Sequence, residues 1–550
     1  MILRSGSLPW PRAAWAMALG VALTLAAFLT SDSRDRAGAT GLFYARTPVA
    51  TPASALERLA KQAPARRVEV IVQLRAGHEV AEGRTLVETA GGTITRDLPL
   101  IDGLGAELTA GSAAKLARDP ALRAVSLNGR VTPSGAGYEL NANRLRTAFV
   151  DSVGAGRVWK GKAAERTGLG VGVAVIDTGV DGSLVDFRAE QGGGGSRVVA
   201  TALTNPRART AEDTYGHGTH VAGLIAGNGF NRAKKDKLRG RYAGVAPKAH
   251  LVSVKAADED GGASVMDVID GLQFVVDHKD RFGIRVVNLS LNSTTAESYT
   301  TDPLDAAVEE AWFRGLVVVA AAGNRGARAD AVSYAPGNDP YVITAGGVDD
   351  GASKKVGDDR LADWSSRGVT QDGMTKPEVL APGAHLDSTL APASEFARDC
   401  PTCVRDGEYL RIGGTSMATA VISGAVALLL EEHPDWTPDQ VKGALVESSR
   451  DVPGVGREVD VHAALKGTGH ALANQGLTPS TFIDPATGGI DLSRTRWSRT
   501  RWSDATELLR TRWSGATFTC AGCADRESGD AVDESRTRWS RTRWSASFTK

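Results

Sequence analysis

The sequence is short of cysteine, of aromatic residues and of net charge. Four cysteines in 550 residues are too few for a disulfide framework, and they fall in two C-x-x-C pairs, Cys400/Cys403 and Cys520/Cys523. Lysine plus arginine and aspartate plus glutamate both number 64, so no global charge points to nucleic acid or to an acidic surface. Aromatic residues make up only 6%, so the cores have to be built from the aliphatic side chains that dominate the 42% hydrophobic content. Long apolar runs are also scarce near the N-terminus. Ala13 to Leu29, preceded by Arg4 and Arg12, is the one run there, and it is near the lower limit for a spanning helix. Residues 1–39 therefore read as an export signal or, if uncleaved, a membrane anchor through residues 13–29. Either way the chain is expected to be secreted or extracytoplasmic.

What is present exceeds one ordinary domain. Residues 40–67, rich in Ala, Arg, Thr and Pro, read as a linker. Val68 to Leu74 alternates as a strand, a helix is expected around Glu79 to Thr89, and Gly91-Gly92 makes a turn. Thr93–Thr95 and Leu104–Leu108 read as strands, and Ser112–Ala117 as a helix with Ser112 at its N-cap. Ala124–Leu127 closes the unit. This β-α-β-β-α-β order predicts a small ferredoxin-like α+β domain over 68–131. Pro133, Gly135 and Gly137 mark a boundary between about Val131 and Val150. Strands and helices then alternate over 148–467, which predicts an α/β fold with a doubly wound parallel sheet.

Three stretches in that region carry chemistry. Gly170 to Gly179 is an apolar strand ending in Asp177, at the edge where open α/β sheets bind ligands. Asp213 to Gly223 places His217 among glycines, and histidine is the natural base near neutral pH. Ile412 to Ala420 puts Ser416 where a loop feeds a long apolar helix, so the backbone N–H groups of a helix N-terminus face any anion formed there. A serine hydroxyl needs a base, a group that orients the base and donors for an oxyanion. Asp177, His217 and Ser416, with Asn324 at the end of Ala320-Ala321-Ala322-Gly323, supply all of these.

Asp177-Thr178-Gly179, His217-Gly218-Thr219-His220 and Gly414-Thr415-Ser416-Met417-Ala418 resemble the subtilisin-like serine peptidases, and in the order Asp, His, Ser. The resemblance implies a serine endopeptidase acting on extended polypeptides, with no cofactor needed for the chemistry. It implies that residues 68–131 are a propeptide, a folding assistant and temporary inhibitor. Gly261 and Gly262 would belong to an edge that pairs with substrate. Ser290, Leu291, Asn292, Ala322 and Gly323 would wall the pocket for the residue before the cut, with Asn292 and Ser333 standing where glycine is usual. Asp186 matches a calcium-binding position in many relatives, although the second calcium loop is not recognisable in Asn228–Gly244.

Two features stay outside that resemblance. In an exported protein the Cys400/Cys403 pair is expected to close a local disulfide. A four-thiolate zinc site with Cys520/Cys523, free thiols and cross-bridges are the alternatives. From Thr468 the composition shifts, and Arg-Thr-Arg-Trp-Ser occurs five times between residues 494 and 545. These repeats hold five of the eleven tryptophans, and Arg and Trp can stack as cation–π pairs. They are a disordered low-complexity extension, a contact for an anionic cell envelope or polymer, or a small sheet packing on the catalytic domain. The second case sets the rival function, an envelope-binding protein that keeps the peptidase fold as a scaffold.

Overall fold

The computed structural model describes residues 54–480, apart from residues 76, 134–146, 160–165, 191–192 and 234. The expected signal or anchor, residues 40–53 of the expected linker, the Arg-Trp repeats and Cys520/Cys523 lie outside the described residues, and the described remainder of that linker is not irregular, since it holds a helix over Ala55–Gln62.

The first region runs α1 (Ala55–Gln62), β1 (Arg67–Leu74), α2 (Val80–Thr89), β2 (Thr93–Leu98), β3 (Gly103–Thr109), α3 (Ala110–Leu116) and β4 (Leu122–Leu127). The strands form one antiparallel sheet in the order β2-β3-β1-β4, the ferredoxin-like arrangement. Strand alternation puts Val70, Val72 and Leu74 into a core with Val87, Leu104, Leu108 and Leu116. Ile71 points the other way and is buried as well. At the neighbouring β2, Arg96 pairs with Asp267 at 3.1 Å and Asp270 at 2.9 Å. The expected cap at Ser112 is one turn late. Thr109 is the N-cap, and its hydroxyl accepts from the Ser112 N–H at 3.2 Å.

A short strand, β5 (Arg130–Pro133), follows. The second region is built on β6 (Gly172–Asp177), β7 (Val198–Leu203), α4 (His217–Ala226), β8 (His250–Lys255), β9 (Ala263–Ser264), α5 (Val265–His278), β10 (Ile284–Leu289), β11 (Leu291–Ser293), α6 (Pro303–Phe313), β12 (Val317–Ala321), β13 (Ile343–Asp349), β14 (Val379–Pro382), α7 (Thr415–Glu432) and α8 (Pro438–Ser448). Seven of these strands are parallel neighbours in the order β7-β8-β6-β10-β12-β13-β14. All six residues of β6 are buried, as a strand covered on both faces must be. The order reverses beside β6, so Asp177 ends a strand at the crevice where such sheets bind ligands.

Two sequence expectations change. Glycines at 216, 218 and 223 masked a helix: His217 is the first residue of α4, all of it buried, and packing overrides weak helix propensity. The domain also runs beyond the boundary drawn at residue 467. Tyr341 and Tyr299 donate to the carbonyls of Leu477 and Thr478, and both Glu309 oxygens accept from the Ser480 N–H at 2.8–2.9 Å. The long apolar helix α7 passes a length-and-composition test for crossing a membrane, yet 89% of that stretch is buried inside the protein, where it serves as the core helix.

Candidate active site

Asp177 and His217 meet because β6 and α4 abut at the sheet's C-terminal edge. His217 Nδ1 lies 2.7 Å from Asp177 Oδ1, which also accepts from the Thr178 N–H at 2.7 Å. A carboxylate only accepts, so it fixes the proton on Nδ1 and leaves Nε2 as the acceptor. Gly218 makes the approach possible, since a Cβ there would collide with the Gly179 carbonyl oxygen. Sequence reading missed the residues that hold this junction. The Thr178 hydroxyl accepts from the Gly218 N–H at 2.8 Å and donates to Asp213 at 2.8 Å. Asp213 in turn takes the N–H groups of Gly216 and Thr219, both at 2.7 Å, and so caps α4. An aspartate four residues before the histidine was the available signal. Phe396 packs edge-on against both Tyr215 and His217, with centroids 4.8 and 6.1 Å away. One turn further, Cys400 and Cys403 are bonded to each other, so neither serves as a zinc ligand.

Ser416 is the second residue of α7 and is fully buried. It is locked to Ser290 in both directions: Ser416 Oγ donates to the Ser290 carbonyl at 3.1 Å, and Ser290 Oγ donates to the Ser416 carbonyl at 3.0 Å. Asn324 is tied to the same helix start. Its Oδ1 accepts from the N–H and the hydroxyl of Thr415, at 3.0 and 3.1 Å. Aspartate and histidine are thus brought together at one junction, and a serine at a helix N-terminus and a fixed amide at another, while α4 packs against α7. A family model described as the subtilase family matches residues 168–475, more than half of the chain. The chain belongs to the subtilase family.

Its relatives agree. It is 34% identical to serine protease AprX of Bacillus subtilis (strain 168) over 290 residues, 51% of this chain and 61% of that protein. It is 30% identical to subtilisin E of the same strain over 367 residues, 66% of this chain and 80% of that protein. Among solved structures it is similar in fold to fervidolysin from Fervidobacterium pennivorans, described as a keratinolytic enzyme related to subtilisin. The TM-score there is 0.56 at 22% identity, covering 77% of this chain and 65% of that one. The catalytic region is that of a subtilisin-like serine endopeptidase.

In this subtilase a strand of the chain itself lies against the two segments expected to line the substrate edge. Strand β5 lies antiparallel between β9 and β11, with Val131 opposite both Ala263 and Ser293. The pairing edge is Ala263–Ser264, so Gly261 and Gly262 stand just before the paired residues rather than in them. Gly261 instead lies over Tyr215, with which a Cβ would collide. On the opposite edge Leu291 and Asn292 pair with Pro133 and Thr132. Asn292 Nδ2 donates to the Ala321 carbonyl at 2.7 Å, which secures the segment leading to Ala322 and Gly323. A Cβ on Gly323 would lie 2.8 Å from Asn292 Oδ1 and 2.9 Å from the guanidinium of Arg325, a crowding the sequence did not disclose. Ser333 is buried in the adjoining loop.

Asp186 does not fit the expected calcium role. Its carboxylate accepts from the Asn231 N–H at 2.8 Å, the Thr389 hydroxyl at 2.8 Å and the Tyr409 hydroxyl at 3.4 Å. Its carbonyl oxygen accepts from Arg197 at 2.8 Å. Calcium needs six to eight oxygens turned toward it, and the carboxylate and carbonyl oxygens of Asp186 are already engaged by N–H and O–H donors. No group of three or more His, Cys, Asp or Glu among the described residues is arranged to hold a metal.

His220, one turn after His217, is fully buried, and its Nε2 donates to the carbonyls of Leu386 and Leu410 at 3.1 and 2.9 Å. Burial first, and the nearby His217 second, hold it down at about 3. The folded value lies below the unfolded one, so the unfolded chain binds this proton first. The stabilisation is present above the unfolded value of about 6.5 and is lost as pH falls toward 3. His220→Gln, which can still donate to both carbonyls, is expected to lower the acid slope of unfolding free energy by about 1.4 kcal/mol per pH unit near pH 5. Urea unfolding at a series of pH values checks this.

Proposed function

We propose that the chain is an exported serine endopeptidase, made as a self-inhibited precursor, that cuts peptide bonds in extended polypeptides. Ser416 Oγ attacks the scissile carbonyl. Its proton passes to His217 Nε2 and then to the leaving amine, while Asp177 holds the tautomer and stabilises the imidazolium. The Asn324 amide and the Ser416 N–H take the oxyanion at the start of α7. The acyl-enzyme is then hydrolysed by water activated in the same way.

One observation supports this reading: β5 lies antiparallel between Ala263–Ser264 and Leu291–Ser293, the second of which follows directly on Ser290, the hydrogen-bond partner of Ser416. Pro133 faces Leu291. Residues 68–131 with β5 therefore act as a tethered inhibitor, and the maturation cut is expected beyond Pro133 and before about Val150. Export rests on the charged and apolar pattern of residues 1–39.

A fluorophosphonate probe tests the reading, because it labels only an activated serine. The processed chain is expected to be labelled on Ser416, and removal of residues up to about Val150 should speed labelling. A folded, processed chain that refuses the label would overturn the assignment and favour the scaffold reading.

A further inference from the structure

Cations buried without water must find oxygen partners inside the protein. Lys376 and Lys442 are both fully buried and lie far outside the catalytic groups in sequence. Lys376 Nζ donates to the Asp339 carbonyl at 2.5 Å, the Thr344 hydroxyl at 2.8 Å and Glu378 Oε1 at 2.6 Å. Lys442 Nζ donates to the carbonyls of Pro340 and Val342, both at 2.7 Å, and to the same Glu378 Oε1 at 2.8 Å. The other Glu378 oxygen accepts from the Thr344 N–H at 2.9 Å. Burial alone would raise the Glu378 carboxyl, but the two ammonium groups overcome it and hold the value at about 2.

Three carbonyls, a hydroxyl and a carboxylate on one short loop and one strand entry form the kind of oxygen set that calcium uses. Here two ammonium groups fill it. They tie the loop entering β13 to the start of β14 and to α8. Arg197 does the same beside Asp186. Its guanidinium donates to the carbonyls of Arg188, Ala249, Asp186 and Ala226 at 2.6–3.2 Å. Ala226 is the last residue of α4, so this charge also sits at the C-terminus of the helix that carries His217.

We propose that the catalytic region carries its own structural cations: Lys376 with Lys442 at one oxygen cage and Arg197 at the other take the cross-linking role of a divalent metal. A calcium ion brought to either cage would meet fixed positive charge already bonded to its donors. The fold is then independent of calcium, and the peptidase keeps its lifetime where calcium is scarce or chelated.

The test uses the full chain with Ser416→Ala, so that self-digestion and the catalytic reading do not enter, and follows the thermal midpoint by circular dichroism. Excess EDTA and excess calcium chloride are expected to give midpoints within about 2 °C. A site filled at about a hundred times its dissociation constant would instead separate them by several degrees. The Lys376→Glu/Lys442→Met variant leaves the carbonyls and adds a second carboxylate. It is expected to lose at least about 5 °C in EDTA and to regain most of it with calcium. A parent midpoint that drops by about 5 °C in EDTA overturns the proposal, and so does a double variant as stable as its parent in EDTA. If the double variant fails to fold at all, the parent comparison alone decides.

Discussion

Ser416→Ala is expected to lower peptide hydrolysis by about 10⁶-fold, the loss measured for the same replacement in subtilisin itself, and to leave the precursor at full mass. The reason is that Ser416 is the group proposed to form the acyl bond. The change is also nearly silent for the fold. Ser416 is fully buried at the start of α7, and the only bond its hydroxyl is seen to make is to the Ser290 carbonyl at 3.1 Å. Losing that bond costs about 1 kcal/mol, whereas a 10⁶-fold rate loss is about 8 kcal/mol of barrier. The two effects are therefore separable. Intact mass reads the first consequence: the wild-type chain is expected to shed a segment ending beyond Pro133, and the alanine chain to stay whole. A chromogenic peptide reads the second. An alanine chain that still matures in purified form would show that Ser416 is not the nucleophile.

Much of this architecture was legible in the sequence because its signals are local. The apolar strand ending at Asp177 and the serine ahead of a long apolar helix are readable from a few neighbouring residues. The small N-terminal unit was readable for the same reason, since period-two strands alternate with helices. What stayed hidden depends on contacts between distant stretches. The sequence shows His217 only as a histidine among glycines, and it is Asp213, Thr178 and the packing around α4 that make it the first residue of a helix. The pairing of Val131 with both Ala263 and Ser293 joins segments more than a hundred residues apart, and no periodicity announces it. Asp186 was assigned by position alone, and its environment turned out to be set by Asn231, Thr389, Tyr409 and Arg197. Motifs thus locate reacting groups well, while the residues that hold them in place are known only once the chain is folded.

Asn324 is the case where that holding shell makes a sharp prediction. Asn324→Ala is expected to lower kcat by about 10²–10³ with little change in KM, the range known for the oxyanion amide of subtilisin. The geometry explains why the amide is pre-aimed. Its Oδ1 is pinned by the Thr415 N–H and hydroxyl, and the Thr415 hydroxyl in turn accepts from the Gly323 N–H at 3.2 Å. With the oxygen held by Thr415, the proposed oxyanion role falls to Nδ2, and a held amide needs little reorganisation to serve it. Thr415→Val removes one of the two pins and keeps Nδ2. It should cost only about tenfold, in line with one hydrogen bond of 1–1.5 kcal/mol. Asn324→Asp keeps the shape but replaces the donor by a second negative charge, and is expected to be no better than alanine. Steady-state kinetics on one peptide separates the three. Full kcat in Asn324→Ala would remove the amide from the mechanism.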